Sequence, residues 1–381
     1  MDSFETGVWA MAMDDCESSA AFVDLLATLG EVADQYAGEL WGIAGPEDTA
    51  GSLRALAHLL ESGLVGHFED DAATPVFREI GSSTRKVMGD NADAIYYDTA
   101  VSNAYEYRVT GNVAGAIYTS FTIEEGGGAG QFPDRTADVL NDSQFDVAPD
   151  GRYELFLGGP RRDRNWMELT PDATRITTRH YWEEVWSPGA APVPDVALAI
   201  EVVGETSPPP RPSDGSVAAG FRRVANYVRS RSIGMGPPGE RIQPDFVSQE
   251  LNSFPAPVPP RDHPLAAMDA AYSMAPYVLG PDEALVMTMR WPECRCANVN
   301  LWNRTLQTYD YLHRSVSLNR AQTHFEPDGS FRAVIAHRDP GVPNWIDTEG
   351  RPFGLVFWRF MLPEGPIETP RAEVVPVDSL A

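Results

Sequence analysis

Apolar residues recur along this chain with two different periods, and the change from one to the other divides it. Phe22, Leu25, Leu26, Leu29, Val32, Ala33, Tyr36 and Leu40 stand three and four apart behind the candidate caps Ser18 and Ser19, which predicts an amphipathic helix. A second helix is expected after Gly45. Pro46 suits its first turn, Glu47 and Asp48 suit the positive end of its dipole, and Leu53, Leu56, Leu59 and Leu60 share a face before Gly63 and Gly66 end it. From about Ile95 the period becomes two. Tyr105, Tyr107 and Val109 alternate with Glu106, Arg108 and Thr110, Gly111 and Asn112 interrupt, and residues 116–123 resume, a pattern that predicts a β-hairpin. Further strands are expected at 153–157, 175–182 and 196–203, and later at 284–291, 295–302, 318–325, 331–337 and 353–361.

The two β-rich stretches are versions of one another. Residues 140–151 read LNDSQFDVAPDG and residues 318–329 read LNRAQTHFEPDG, with six of the twelve positions identical. One added residue later, Asn165-Trp166-Met167-Glu168 stands opposite Asn344-Trp345-Ile346-Asp347, and Arg179 falls opposite Arg359. Such short alternating strands must bury one face against another sheet. The expected fold is therefore mainly β (α+β): two tandem duplicated antiparallel β-sandwich or jelly-roll-like domains with an N-terminal helical segment. The boundaries fall at 1–90 for the helices, 91–205 for the first β-repeat, 206–267 for a proline-rich connector and 268–381 for the second. Within the connector, Val217, Phe221, Val224, Tyr227 and Val228 mark one further helix. Pro208 to Pro212 reads as a stiff spacer.

Charge narrows the partners. With 29 Lys+Arg against 55 Asp+Glu, the net charge of −26 opposes nucleic acid, anionic membranes and polyphosphate ligands. Neutral or cationic small molecules are favoured, and a homo-oligomer is compatible with the sequence. No apolar run has the roughly 18 to 20 residues of a membrane span, and residues 1–7 lack the basic and apolar regions of a signal peptide, so the chain is read as cytoplasmic. Three cysteines give no disulfide framework, and Cys294 and Cys296 read as packed thiols. The triplet Glu69-Asp70-Asp71 reads as a solvated acidic turn, and Gly126, Gly127, Gly128 and Gly130 as a mobile loop without a phosphate-binding ending. No metal and no cofactor is expected.

The segment PDGSFRAVIAHRDPGVPNWIDTEGRPFGLVFWRF, followed by a proline-rich tail, resembles the C-terminal signature of the bacterial domain-of-unknown-function family 1214. The likeness is strongest over residues 309–370, and Gly89-Asp90-Asn91-Ala92-Asp93-Ala94 through Trp166 is similar to the N-terminal part of longer actinobacterial members. This resemblance implies β-sandwich units with accompanying helices. It assigns no activity.

Candidate chemistry gathers in the second repeat. The Asn-Trp-x-acid motif puts an amide, an aromatic face and a carboxylate within four residues on a loop that closes a sandwich, where binding groups commonly sit. Only the second repeat adds a histidine beside it. His337, with Asp339 and Asp347, makes a candidate general base and its orienting carboxylates. Asn344, Trp345, Asn303, Trp302 and Arg359 are the candidate substrate contacts, and Asn298, Arg304 and Gln307 extend a polar and aromatic group suited to a carbohydrate-like ligand. A second explanation stands beside this one, because a loop-closing Asn and a Trp that plugs the sandwich end would also be repeated. The expected function is an enzyme of hydrolase or lyase type acting on a neutral small molecule between the β-repeats. The alternative is a non-catalytic small-molecule-binding or scaffold protein.

Overall fold

The computed structural model describes residues 16–36, 38–43, 45–185, 195–204, 207–237, 239–261 and 263–380. Residues 1–7, where no signal peptide is expected, and residues 186–194 lie outside these. No helix among the described residues is long and apolar enough to cross a membrane.

Helical spacing becomes three helices, α1 (Glu17–Tyr36), α2 (Pro46–Gly63) and α3 (Asp214–Ser230). They pack on one another although α3 is nearly 200 residues away in sequence. Val32 and Tyr36 of α1, Leu56 and Leu59 of α2, and Tyr227 and Val228 of α3 share a core. Neither serine predicted as a cap begins α1. Instead the carboxylate of Asp214, the first residue of α3, accepts the backbone N–H groups of Glu17 and Ser18 at 2.8 and 3.0 Å, because the two helix starts lie side by side. Gly63 does not stop α2 either. One wide turn, Leu64–Phe68, carries the coil past Gly66, and there the His67 and Phe68 carbonyls accept from Arg223 of α3.

The strands make four sheets, two to each sandwich. In the first sandwich one sheet is β1 (Arg78–Glu79), β2 (Ala94–Ala100), β8 (Ala173–Tyr181), β4 (Tyr118–Glu125) and β5 (Arg135–Asn141), in that spatial order. The other is β7 (Trp166–Met167), β6 (Arg152–Leu157), β3 (Tyr107–Asn112) and β9 (Ala199–Val202). In the second sandwich the sheets are β10 (Ala270–Val278), β16 (Phe353–Met361), β12 (Cys296–Trp302), β13 (Ser317–Asn319), and β15 (Trp345–Asp347), β14 (Phe331–Ala336), β11 (Glu283–Met289), β17 (Arg371–Pro376). Every strand from β2 to β9 thus reappears eight places later in the same position, so the sequence repeat is a repeat of topology. Phe121, Ile123, Leu155 and Ile176 fill the first sandwich, and Leu285, Val299, Ile335 and Trp358 the second.

The predicted hairpin of β3 and β4 does not form. β3 runs on through Gly111 and Asn112, and the turn at Ala114 and Gly115, both with positive φ, sends the chain across to the opposite sheet. The glycine loop is also more constrained than its composition suggests. Gly130, at φ 97°, lies so close to α3 that a Cβ would meet the Arg223 carbonyl oxygen at 2.1 Å. Nor is Asp70 simply solvated, since it is ion-paired with buried Arg175.

The two sandwiches meet through β2, β8 and β4 on one side and β10, β16 and β12 on the other, burying Tyr118, Tyr181, Tyr272, Met274, Phe357 and Met361 between them. Each sandwich grips the segment that leads into the other. Asn141 of β5 donates to Asp269, the residue before β10, at 2.8 Å, and Asn319 of β13 donates to Asp93, the residue before β2, at 3.1 Å. Four residues earlier the exchange repeats. Arg179 of β8 donates to the Leu265 carbonyl and Arg359 of β16 to the Gly89 carbonyl, both at 2.8 Å, and both acceptor residues have positive φ. The chain is in effect a two-fold dimer of sandwiches, joined by exchanged arms.

Candidate functional site

A cavity of about 700 Å³ opens at this internal two-fold relation, between the facing sheets and beneath the helices and the connector. Its apolar walls come from Trp302, Phe357, Leu355 and Met274 of the second repeat and from Phe246 of the connector. Its polar groups come from the middles of buried strands, where the sequence has charged residues among apolar ones. Tyr96 is paired in register with Arg179, and the duplication places Tyr272 opposite Arg359 in the same way. The Tyr96 and Tyr181 hydroxyls are 3.1 Å apart, and the Tyr272 hydroxyl accepts from the Ala267 N–H at 3.0 Å.

Both arginines are almost fully enclosed, Arg179 at 3% and Arg359 at 4% exposure. Neither has a carboxylate within ion-pairing distance among the described residues. Arg179 donates to Thr122 and the Leu265 carbonyl; Arg359 donates to the Gly89 and Asp90 carbonyls and lies over Trp302 and Phe357, 5.0 and 4.5 Å from the ring centres. Burial pushes the phenols of Tyr96, Tyr181 and Tyr272 up, and the Arg359 and Arg179 charges oppose that shift at all three. The two guanidinium groups therefore act on one cluster of hydroxyls. Glu124 of β4 also lines the cavity. Burial raises its pKa against the pull of Arg179; its Oε2 accepts from Thr136, and its Oε1 has no protein partner.

Of the residues singled out in the sequence as candidate contacts, Trp302, Arg304 and Arg359 stand in this cavity. The others serve elsewhere. Asn344, at φ 59°, accepts from the His324 N–H and donates to the His324 and Arg332 carbonyls, while Trp345 donates to the Ala336 carbonyl. Asn165, at φ 54°, and Trp166 make the corresponding bonds to Asp146, Glu154 and Gly158. The motif is a latch that lays β7 against β6 and β15 against β14 in parallel. Asn303 closes its own turn through the Thr305 and Gln307 N–H groups.

His337, Asp339 and Asp347 are not assembled into an acid–base group. His337 bonds to the Thr348 hydroxyl at 2.6 Å and lies 3.4 Å from the Leu279 carbonyl; Asp339 accepts from the Gly341 N–H; Asp347 is ion-paired with Arg314 at 2.7 Å. The reason is topological. His337 and Asp339 follow β14 and Asp347 ends β15, in the outer sheet of the second sandwich, whereas the cavity is lined by the inner sheet. The sequence did carry a signal for this cavity: Arg179 and Arg359 were aligned by the repeat, and Arg359 is the one charged residue of β16. Among the described residues, no three His, Cys, Asp or Glu side chains are placed to hold a metal ion.

No family model and no curated protein matches the chain. Among solved structures it is similar to an uncharacterised protein from Burkholderia cenocepacia, with 26% identity and a TM-score of 0.80 over 94% of this chain and 97% of that one. A Vibrio parahaemolyticus protein aligns with 12% identity and a TM-score of 0.47 over 84% of this chain and the whole of its own.

Proposed function

We propose that the protein binds a small organic molecule in the cavity between its two sandwiches. The observation that carries this reading is the cavity itself: a volume of about 700 Å³ with aromatic and aliphatic walls, into which tyrosine and arginine side chains of both repeats converge. That combination of size, apolar lining and few fixed polar groups is what small-molecule sites have in common. A neutral, environment-sensitive probe such as N-phenyl-1-naphthylamine should bind and brighten. Ala266→Trp, which fills the cavity from its wall, should weaken that binding at least ~10-fold, the scale on which loss of buried apolar contact registers. Failure of the folded wild-type protein to bind any such probe refutes the reading.

A second reading, catalysis in the same cavity, is favoured by Glu124. A buried carboxyl whose pKa is raised and whose Oε1 lacks a protein partner can serve as a general acid. In that case the hydrolase or lyase chemistry belongs to Glu124 and the Tyr96–Tyr181 pair rather than to His337. Mass spectrometry of the co-purified molecule tests it: wild type should convert the molecule on incubation and Glu124→Gln should hold it unchanged. Equal conversion by both removes Glu124 from the chemistry.

A further inference from the structure

We propose that the molecule held in this cavity is an amphipathic monocarboxylate, an alkanoic or aryl-alkanoic acid, with its carboxylate between Arg179 and Arg359 and its body along Trp302, Phe357 and Met274. The inference rests on the cavity reading above and adds the chemistry of the head group.

Six arginines and four carboxylic acids line the cavity. Two of the acids are held by partners and two are raised by burial. Asp98 is ion-paired with Arg175 at 2.9 Å, the Asp90 carboxylate accepts from the Thr308 N–H and hydroxyl at 2.7 Å each, and the pKa values of Glu79 and Glu124 are raised by burial. Arg179 and Arg359 form no ion pair among the described residues: their donors go to carbonyls and a hydroxyl, Arg359 lies over aromatic faces, and Glu124 near Arg179 and Asp90 and Asp93 near Arg359 act only from beyond ion-pairing distance. A buried cation in that condition favours an anion, and a planar carboxylate accepts from two guanidinium groups at once. The hydroxyls of Tyr96 and Tyr272, set beside the two arginines in the strand register, add donors of matching symmetry.

The strongly negative net charge of the chain does not forbid this. Exposed carboxylates are screened by solvent and salt, with a screening length of ~8 Å at physiological ionic strength, whereas the two arginines stand in the cavity wall. The same charge disfavours polyphosphates, and the apolar walls require a hydrocarbon body. A monocarboxylate satisfies both.

The test is displacement of the bound neutral probe by a matched series: decanoate, decanol and decylammonium. Decanoate should displace the probe at concentrations at least ~10-fold below those of the other two, the discrimination expected of a charge-assisted contact. In Arg359→Met, with folding checked by thermal melting, the preference for decanoate over decanol should shrink to about 2-fold or less, as expected when that contact is removed. Equal displacement by decanoate and decanol in the wild type overturns the carboxylate inference and leaves the cavity reading standing. Absence of probe binding in the wild type overturns both.

Discussion

Asp93 should make the stability of this protein fall as the pH rises. The side chain is fully buried, with Asn298 donating to one oxygen at 2.6 Å and Asn319 to the other at 3.1 Å, so it is the point at which the second sandwich holds the arm of the first. Burial outweighs the two amide donors and raises its pKa from 3.8 to about 6. A carboxyl raised in this way favours folding when protonated. Its contribution is complete below 3.8 and disappears as the pH passes 6. At ~1.4 kcal/mol for each pH unit between those values, the loss amounts to ~3 kcal/mol, and about half of it falls between pH 5 and pH 8.

Other raised carboxyls, Glu124 and Asp98 among them, add to the pH dependence of the wild type, so the measurement is a difference. Asp93→Asn cannot titrate, and it turns an amide donor toward one of the two asparagines, which costs about 1–3 kcal/mol. Urea unfolding of both proteins at pH 5 and pH 8 should show the wild type ahead by ~1.4 kcal/mol more at the lower pH. A wild-type advantage that is the same at both pH values, within about 0.5 kcal/mol, refutes the assignment of a raised pKa to this arm contact.

Other expectations follow from the same geometry. Asn344→Ala and Asn165→Ala should each lower stability by about 2–3 kcal/mol, because alanine strains the left-handed backbone and the latch bonds are lost; denaturant midpoints measure it. His337→Ala should cost ~1 kcal/mol for its bond to Thr348 and leave probe binding in the cavity unchanged, whereas a loss of binding would return the site to the outer sheet. Gly130→Ala should destabilise by ~3 kcal/mol or more, since its Cβ would collide with the Arg223 carbonyl, while Gly30→Ala, in the middle of α1 with open space around it, should stabilise by ~0.5–1 kcal/mol; paired thermal melts compare them.

The repeated Pro-Asp-Gly turns, the paired Asn-Trp motifs and the alternation of apolar residues carried the duplicated β architecture in one dimension, because strand burial and turn chemistry are local properties of a sequence. The same locality does not say which candidate groups are brought together. His337, Asp339 and Asp347 are neighbours along the chain, but sequence pattern does not say which of two sheets faces the other repeat, and they fell on the outer one. Tyr96, Glu124, Arg179 and Tyr272 belong to four strands spread over more than 170 residues, and only the pairing of β2 with β8 and β10 with β16, and the exchange of arms between sandwiches, brings them to one cavity. In the same way α1 begins where Asp214 meets it, not where its own serines stand. Sequence alone thus determined the repeated unit, whose strands and turns are specified residue by residue. Tertiary structure decided how the two units face each other, and with it which polar side chains lose water together around one cavity.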